Sequence, residues 1–83
     1  MHVELTPDAA KQMIELPRVI RERVTKLLER LENWPAVSGA KPLSGNLAGR
    51  YRLRTGDYRL QFYLQGSTII VEKIAHRDGF YGE

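Results

Sequence analysis

The chain has 83 residues, 42% hydrophobic and 28% charged, with thirteen Lys and Arg against ten Asp and Glu, a formal charge of +3. That size and composition describe one globular domain burying ~60% of its unfolded surface, neither disordered nor crossing a membrane with a helix. The absence of cysteine excludes disulfides, thiolate nucleophiles and thiolate zinc sites. The start, Met1-His2-Val3-Glu4-Leu5, lacks the basic and then apolar regions of a secretory signal, so a small, soluble, cytoplasmic domain is expected.

Val3 and Leu5 alternate with His2 and Glu4, which predicts a short first strand. Thr6-Pro7-Asp8 reads as a helix start, with Thr as N-cap, Pro at the first helical position and an acid in the first turn. Ala10, Met13 and Ile14 are the expected apolar stripe of that helix, and Pro17 interrupts it. Ile20, Val24, Leu27, Leu28 and Leu31 then mark one face of a longer helix, closed by Trp34-Pro35. Residues 36–49, with three Gly, Pro42 and two Ser, predict an irregular connection pinned by Leu43 and Leu47. From Arg50 the period switches to two. Strands are expected around Arg50–Arg54 and Tyr58–Gln65, a type II′ turn at Gly66-Ser67, and a last strand at Thr68–Ala75. The expected fold is α+β, of order β-α-α-β-β-β, with an N-terminal helical hairpin packed on one face of a small antiparallel sheet.

The charge is unevenly placed. Residues 1–40 hold six bases and six acids, so the whole excess lies in residues 41–83. Within it, Lys41, Arg50, Arg52, Arg54 and Arg59 face one acid, Asp57. An even-length turn over Arg54–Asp57 sets Arg52 opposite Arg59 and Arg50 opposite Gln61. A two-residue turn at Gly66-Ser67 then sets Leu64 opposite Ile69, Phe62 opposite Val71 and Arg59 opposite Ile74. Tyr51, Leu53, Tyr58, Leu60, Phe62, Leu64, Ile69, Val71 and Ala75 form the expected helix-bearing face. Arg50, Arg52, Arg54, Arg59, Gln61, Glu72 and His76 form the opposite one. Ile70, Ile74, Tyr63 and Lys73 break the alternation. Like charges directly across a strand pair are destabilising, so an arginine cluster there is better explained by a phosphate-binding surface than by solubility.

The segment His76-Arg77-Asp78-Gly79-Phe80-Tyr81 brings an imidazole, a further guanidinium and a phenol toward this face. Guanidinium stabilises charge on phosphate and does not move protons. Histidine is the residue type suited to acid–base work near neutrality, and tyrosine can donate a hydrogen bond or stack on a base. The set fits metal-free RNA cleavage in which a ribose 2′-hydroxyl attacks the adjacent phosphorus. The plainer alternative is a capping histidine, with Phe80 and Tyr81 docking the tail on the core. With two histidines and no carboxylate cluster beside either, neither a metal nor another cofactor is expected.

Lys41-Pro42-Leu43-Ser44-Gly45, Tyr51-Arg52-Leu53-Arg54-Thr55-Gly56-Asp57-Tyr58-Arg59 and His76-Arg77-Asp78-Gly79-Phe80-Tyr81 together resemble the RelE/ParE superfamily of bacterial and archaeal toxins. The strong match runs from Leu43 to Tyr81; the first forty residues agree only in their strand-helix-helix pattern. The resemblance implies a type II toxin with a cognate antitoxin. RelE-like members cut mRNA in the ribosomal A site without metal, leaving a 2′,3′-cyclic phosphate. By motif, Arg59 matches the sheet arginine on the scissile phosphate, Arg77 the second arginine, and Tyr81 the tyrosine stacked on the substrate base. The family's basic pair on the preceding strand corresponds to Arg52 and Arg54, or to Arg50 and Arg52 when aligned back from Arg59. Arginine in place of the family's lysines makes proton abstraction harder, which shifts acid–base work to His76. Lys41 and Arg50 are expected RNA contacts. The chain ends two residues after Tyr81, with no C-terminal helix expected. ParE-like members poison DNA gyrase and need neither His76 nor Tyr81 as chemistry. An inactive RNA-binding relative is a third reading.

Overall fold

A computed structural model describes residues 1–80. The elements follow the predicted order, with additions: β1 (His2–Leu5), α1 (Pro7–Glu15), α2 (Arg18–Leu31), β2 (Lys41–Pro42), β3 (Arg50–Thr55), β4 (Tyr58–Gln65), β5 (Thr68–His76) and a last helical turn, α3 (Arg77–Phe80). The segment before β3 also makes a 3₁₀ turn at Gly45–Leu47. The five strands form one sheet in the order β1-β5-β4-β3-β2. β1 lies parallel to β5 and the other pairs are antiparallel, so the sheet is mixed. The connection expected to be irregular thus supplies an edge strand, and the tail, for which no C-terminal helix is expected, supplies a helical turn.

Local chemistry accounts for the helical hairpin. Thr6 is extended and its hydroxyl accepts from Ala9 N at 3.1 Å, while Pro7 opens α1 with its fixed φ. The end of α1 leaves carbonyls without helical partners, and Arg21 of α2 reaches back to them. Its Nη2 donates to Ile14 O (2.9 Å) and Leu16 O (3.0 Å), and its Nε to Met13 O (3.3 Å). The inward side of α1 is Ala9 with Met13, followed by Leu16; Ile14, expected inside, is 74% exposed. α2 buries Val24, Leu27 and Leu31, as its spacing predicts.

Those side chains meet Leu53, Leu60, Phe62, Ile69, Val71 and Ile74 on one face of the sheet. Trp34 closes this core edge-on to Tyr51 (4.9 Å between centroids) and Phe62 (5.3 Å).

The registers depart from expectation in two places. β3 and β4 are joined by a two-residue turn, Gly56-Asp57, with Thr55 opposite Tyr58. Gly56 has φ of 59° and Gly66 has 62°, while among the described residues no other residue type takes a positive φ, so both hairpins carry Gly first in the type II′ manner. The shorter turn slides the pairing by two residues. Arg54, not Arg52, stands opposite Arg59, Arg52 opposite Gln61, and Arg50 opposite Tyr63. A two-residue slide preserves the faces, so the arginine face itself stands.

The second departure changes faces. Leu64 meets Ile69 and Phe62 meets Val71, but the ladder then shifts at Gln61/Phe62, where Gln61 pairs with Lys73. Glu72 is the extra residue of a β-bulge. Past it, every residue of β5 swaps sides relative to strict alternation: Leu60 pairs with Ile74, Arg59 with Ala75 and Tyr58 with His76. Ile74 therefore enters the core at 2% exposure, and Lys73 leaves the face to which alternation assigned it.

Candidate nucleic-acid interface

The sheet face opposite the helices is built by alternation along β2, β3 and β4. Lys41 pairs with Arg52, which pairs with Gln61, giving one transverse row; Arg54 and Arg59 give the next. Arg54 is exposed and Arg59 half-buried. Among the described residues neither has a carboxylate within 4 Å. Arg59 Nη1 donates to Gly56 O at 3.2 Å, and its Nε is buried without a hydrogen-bond partner. This guanidinium is thus aimed by the β3–β4 turn and still holds donor capacity.

Arg50 is different. Its Nε donates to Glu72 Oε2 at 2.6 Å, an oxygen shared with Gln61 Nε2 at 2.8 Å, and its guanidinium carbon lies 5.2 Å from the Tyr63 ring centroid. A charge-assisted bond of this kind neutralises Arg50 within the face. The pairing leaves Arg54 and Arg59, with Arg52 in the adjacent row, as the arginines of the open face, and neither of the first two has a carboxylate partner among the described residues.

Arg77 opens α3 at the same end of the sheet. Its N–H donates to Asp57 O at 2.7 Å, which ties the C-terminal turn to the β3–β4 hairpin. Its guanidinium is 57% exposed, 4.0 Å from Asp57 Oδ1 and 3.7 Å from Asp78 Oδ1. Pairs this exposed and this long hold little charge back from a ligand.

His76 does not join the arginine face. The bulge turns its side chain to the helix side, where the ring stands edge-on to Tyr58 at 5.2 Å between centroids. It borders an open cleft of about 400 Å³ lined by Ile20, Arg23, Gly56, Asp57, Tyr58 and itself. Nδ1 accepts from Asp78 N at 3.2 Å, a bond that caps the start of α3. The expected convergence of His76 on the arginines is therefore corrected, and the cause is one inserted residue in β5. Tyr81 lies outside the described residues. Phe80 is buried, as a docking role requires, but outside the main core cluster and against Lys73. Lys73, an exception that strict alternation would place on the helix side, lies on the opposite face beside Gln61. The spacing of Ile69, Val71 and Ile74, two residues and then three, is the signal in the sequence that marks the bulge. Among the described residues no three His, Asp or Glu side chains gather as a metal site, and no helix is long and apolar enough to cross a membrane.

Known proteins share this fold. The family model for the ParE toxin of type II toxin–antitoxin systems (parDE) matches residues 3–79. The chain belongs to this toxin family, within the RelE/ParE superfamily. Toxin RelE3 of Methanocaldococcus jannaschii is 29% identical to it over 84 residues, spanning 98% of this chain and 96% of the relative. Among solved structures, the RelBE2 toxin–antitoxin complex of Mycobacterium tuberculosis contains a similar chain, with a TM-score of 0.80 and 29% identity over 92% of this toxin and 96% of that chain. The RelB–RelE complex of Methanococcus jannaschii follows at 0.77 and 26% identity, covering 94% of each chain. Isolated E. coli RelE, at 18% identity, shares the fold with a TM-score of 0.75, over 90% of this toxin and 82% of that chain.

Proposed function

We propose that this toxin is a ribosome-dependent endoribonuclease that cleaves mRNA in the A site and is held in check by a cognate antitoxin in the cytoplasm. The observation that carries this reading is the row of Arg54 and Arg59 directly across a strand pair, without a compensating carboxylate among the described residues. A sheet selected for stability alone would not place them so. The RelE names of the relatives add to it, as does the antitoxin in the complexes they form.

In this reading Arg59 and Arg54 hold the non-bridging oxygens of the scissile phosphate, with Arg52 and Arg77 on its neighbours. The 2′-oxygen bonds to phosphorus as its proton passes to water, the bond to the 5′-oxygen breaks, and that oxygen takes a proton from solvent. The products are a 2′,3′-cyclic phosphate and a 5′-hydroxyl. The arginines act on the charge that accumulates between these events, where removal of one preorganised donor costs about 10²–10³ in rate. His76, turned to the helix side, contributes by capping α3; Tyr81 keeps the base-stacking role its motif suggests. Lys41 and Arg50 flank the face, Arg50 already paired.

The test is primer extension on a translated mRNA with the parent chain and with Arg59→Ala. Discrete cleavage within A-site codons is expected from the parent, with a loss of at least a hundredfold in the variant while its circular dichroism is unchanged. Equal cleavage by both would refute the assignment. The match to the ParE family model favours a second reading, inhibition of DNA gyrase. Intact mRNA together with blocked supercoiling by purified gyrase would select it.

A further inference from the structure

A four-residue helical turn does not hold itself in water, because nucleation fixes several dihedrals for a single hydrogen bond. α3 is held instead at both ends. Arg77 N–H is bonded to Asp57 O at its start. At its end, Lys73 Nζ donates to Phe80 O at 2.7 Å and lies 4.8 Å from the centroid of the Phe80 ring. A cation over an aromatic face, partly buried as here, is a favourable contact in its own right. Phe80 is 5% exposed yet belongs to no part of the helix-side core.

The chain reverses between the two anchors. It leaves β5 at His76 and by Phe80 is again beside Lys73, so α3 folds back along the stretch of β5 that holds Ala75, the residue paired with Arg59. α3 touches both β5 and β4, and Gln61 on the same face is 8% exposed. Lys73 reaches this position because the bulge at Glu72 moves it off the helix side.

We propose that Lys73 is a positioning residue for the basic face: by clamping Phe80 it holds α3 along the Arg59 row and fixes Arg77 within the phosphate-binding set. The inference rests on reading that face as an RNA surface. The charge of Lys73 is engaged by a carbonyl and a ring, so its contribution reaches RNA through Arg77.

The experiment uses the full chain, with nuclear magnetic resonance and titration of a short oligouridylate across a salt series. The ring current of Phe80 should move the Lys73 ε-protons upfield, and Phe80→Ala should restore them. Phe80→Ala keeps every charge, yet the slope of log affinity against log salt should flatten by about 0.7, one single-strand phosphate. Arg77→Ala should flatten it equally, and the double variant no further, because both remove the same contact. Lys73→Met should match them, whereas Lys73→Arg, which keeps the donor and the cation, should retain the parent slope.

Thermal melts establish that each variant folds; if Phe80→Ala does not, Lys73→Met with and without Arg77→Ala carries the same cycle. A parent slope in Phe80→Ala, or full additivity with Arg77→Ala, overturns the proposal. So does an unshifted Lys73 in a parent that binds RNA, which sinks the clamp alone. A shifted Lys73 in a parent that binds no RNA overturns the RNA reading and the positioning role together.

Discussion

Which arginines remain available to a phosphate is settled residue by residue, and Glu72 is the side chain that decides it. One of its oxygens accepts from both Arg50 and Gln61, and the Arg50 and Glu72 side chains are 36% and 20% exposed. Charge-assisted bonds are worth roughly twice neutral ones, but exposure to solvent screens part of that. Glu72→Gln should therefore cost about 1 kcal/mol, a fall of about 4–8 °C in Tm for a domain of this size. It should also release Arg50 to the face and raise affinity for oligouridylate at low salt. A melting curve and a titration on the same sample check both arms; a weaker-binding variant would mean that Glu72 organises the face and does not restrain it. The charge excess of residues 41–83 was legible in the sequence, since it needs only counting. That Arg50 is neutralised was not, because its partner lies 22 residues on and reaches it only through the register of β4 and β5.

Turns and one bulge decide, at the scale of elements, which side chains share a face. The helices were legible because their caps and periodicity are local: Thr6-Pro7 at the start of α1, and apolar spacing along α2. The sheet was legible in its faces up to the bulge, because a two-residue error in the Gly56-Asp57 turn leaves parity unchanged. The bulge was not, since one inserted residue reverses parity, sending Ile74 and His76 to the helix side and Lys73 to the other. α1 supports the irregular stretch: Ile74 N–H, two residues past Glu72, donates to Gln12 Oε1 at 2.7 Å. Removing that acceptor leaves a partly buried strand N–H unpaired. Gln12→Ala should cost about 1–2 kcal/mol, and Tm should fall by about 4–16 °C. Hydrogen exchange localises the effect, with the Ile74 amide losing protection and α2 keeping its own. Unchanged exchange at Ile74 would show that the bulge needs no side-chain support.

The whole molecule is a neutral helical layer backed by a cationic sheet face, and the arrangement predicts directional association. Residues 1–40 balance their charges, so the field that an approaching polyanion meets comes from β2, β3, β4 and the start of α3. Steering by such a field raises association rates, and it fades as the Debye length shrinks from about 10 Å at 0.1 M salt to about 3 Å at 1 M. Charge reversal at two exposed arginines separates field from total charge, because each changes the net charge equally. Arg54→Glu, on the arginine row, should lower the association rate with ribosomes at least tenfold at low salt, and the deficit should shrink as salt rises. Arg18→Glu, at the first residue of α2 in the helical layer, should leave that rate within about twofold of the parent at every salt concentration. Stopped-flow fluorescence on labelled ribosomes measures both. Equal deficits would mean that the ribosome responds to the charge of the molecule as a whole, and the sheet face would lose its claim as the surface that meets RNA.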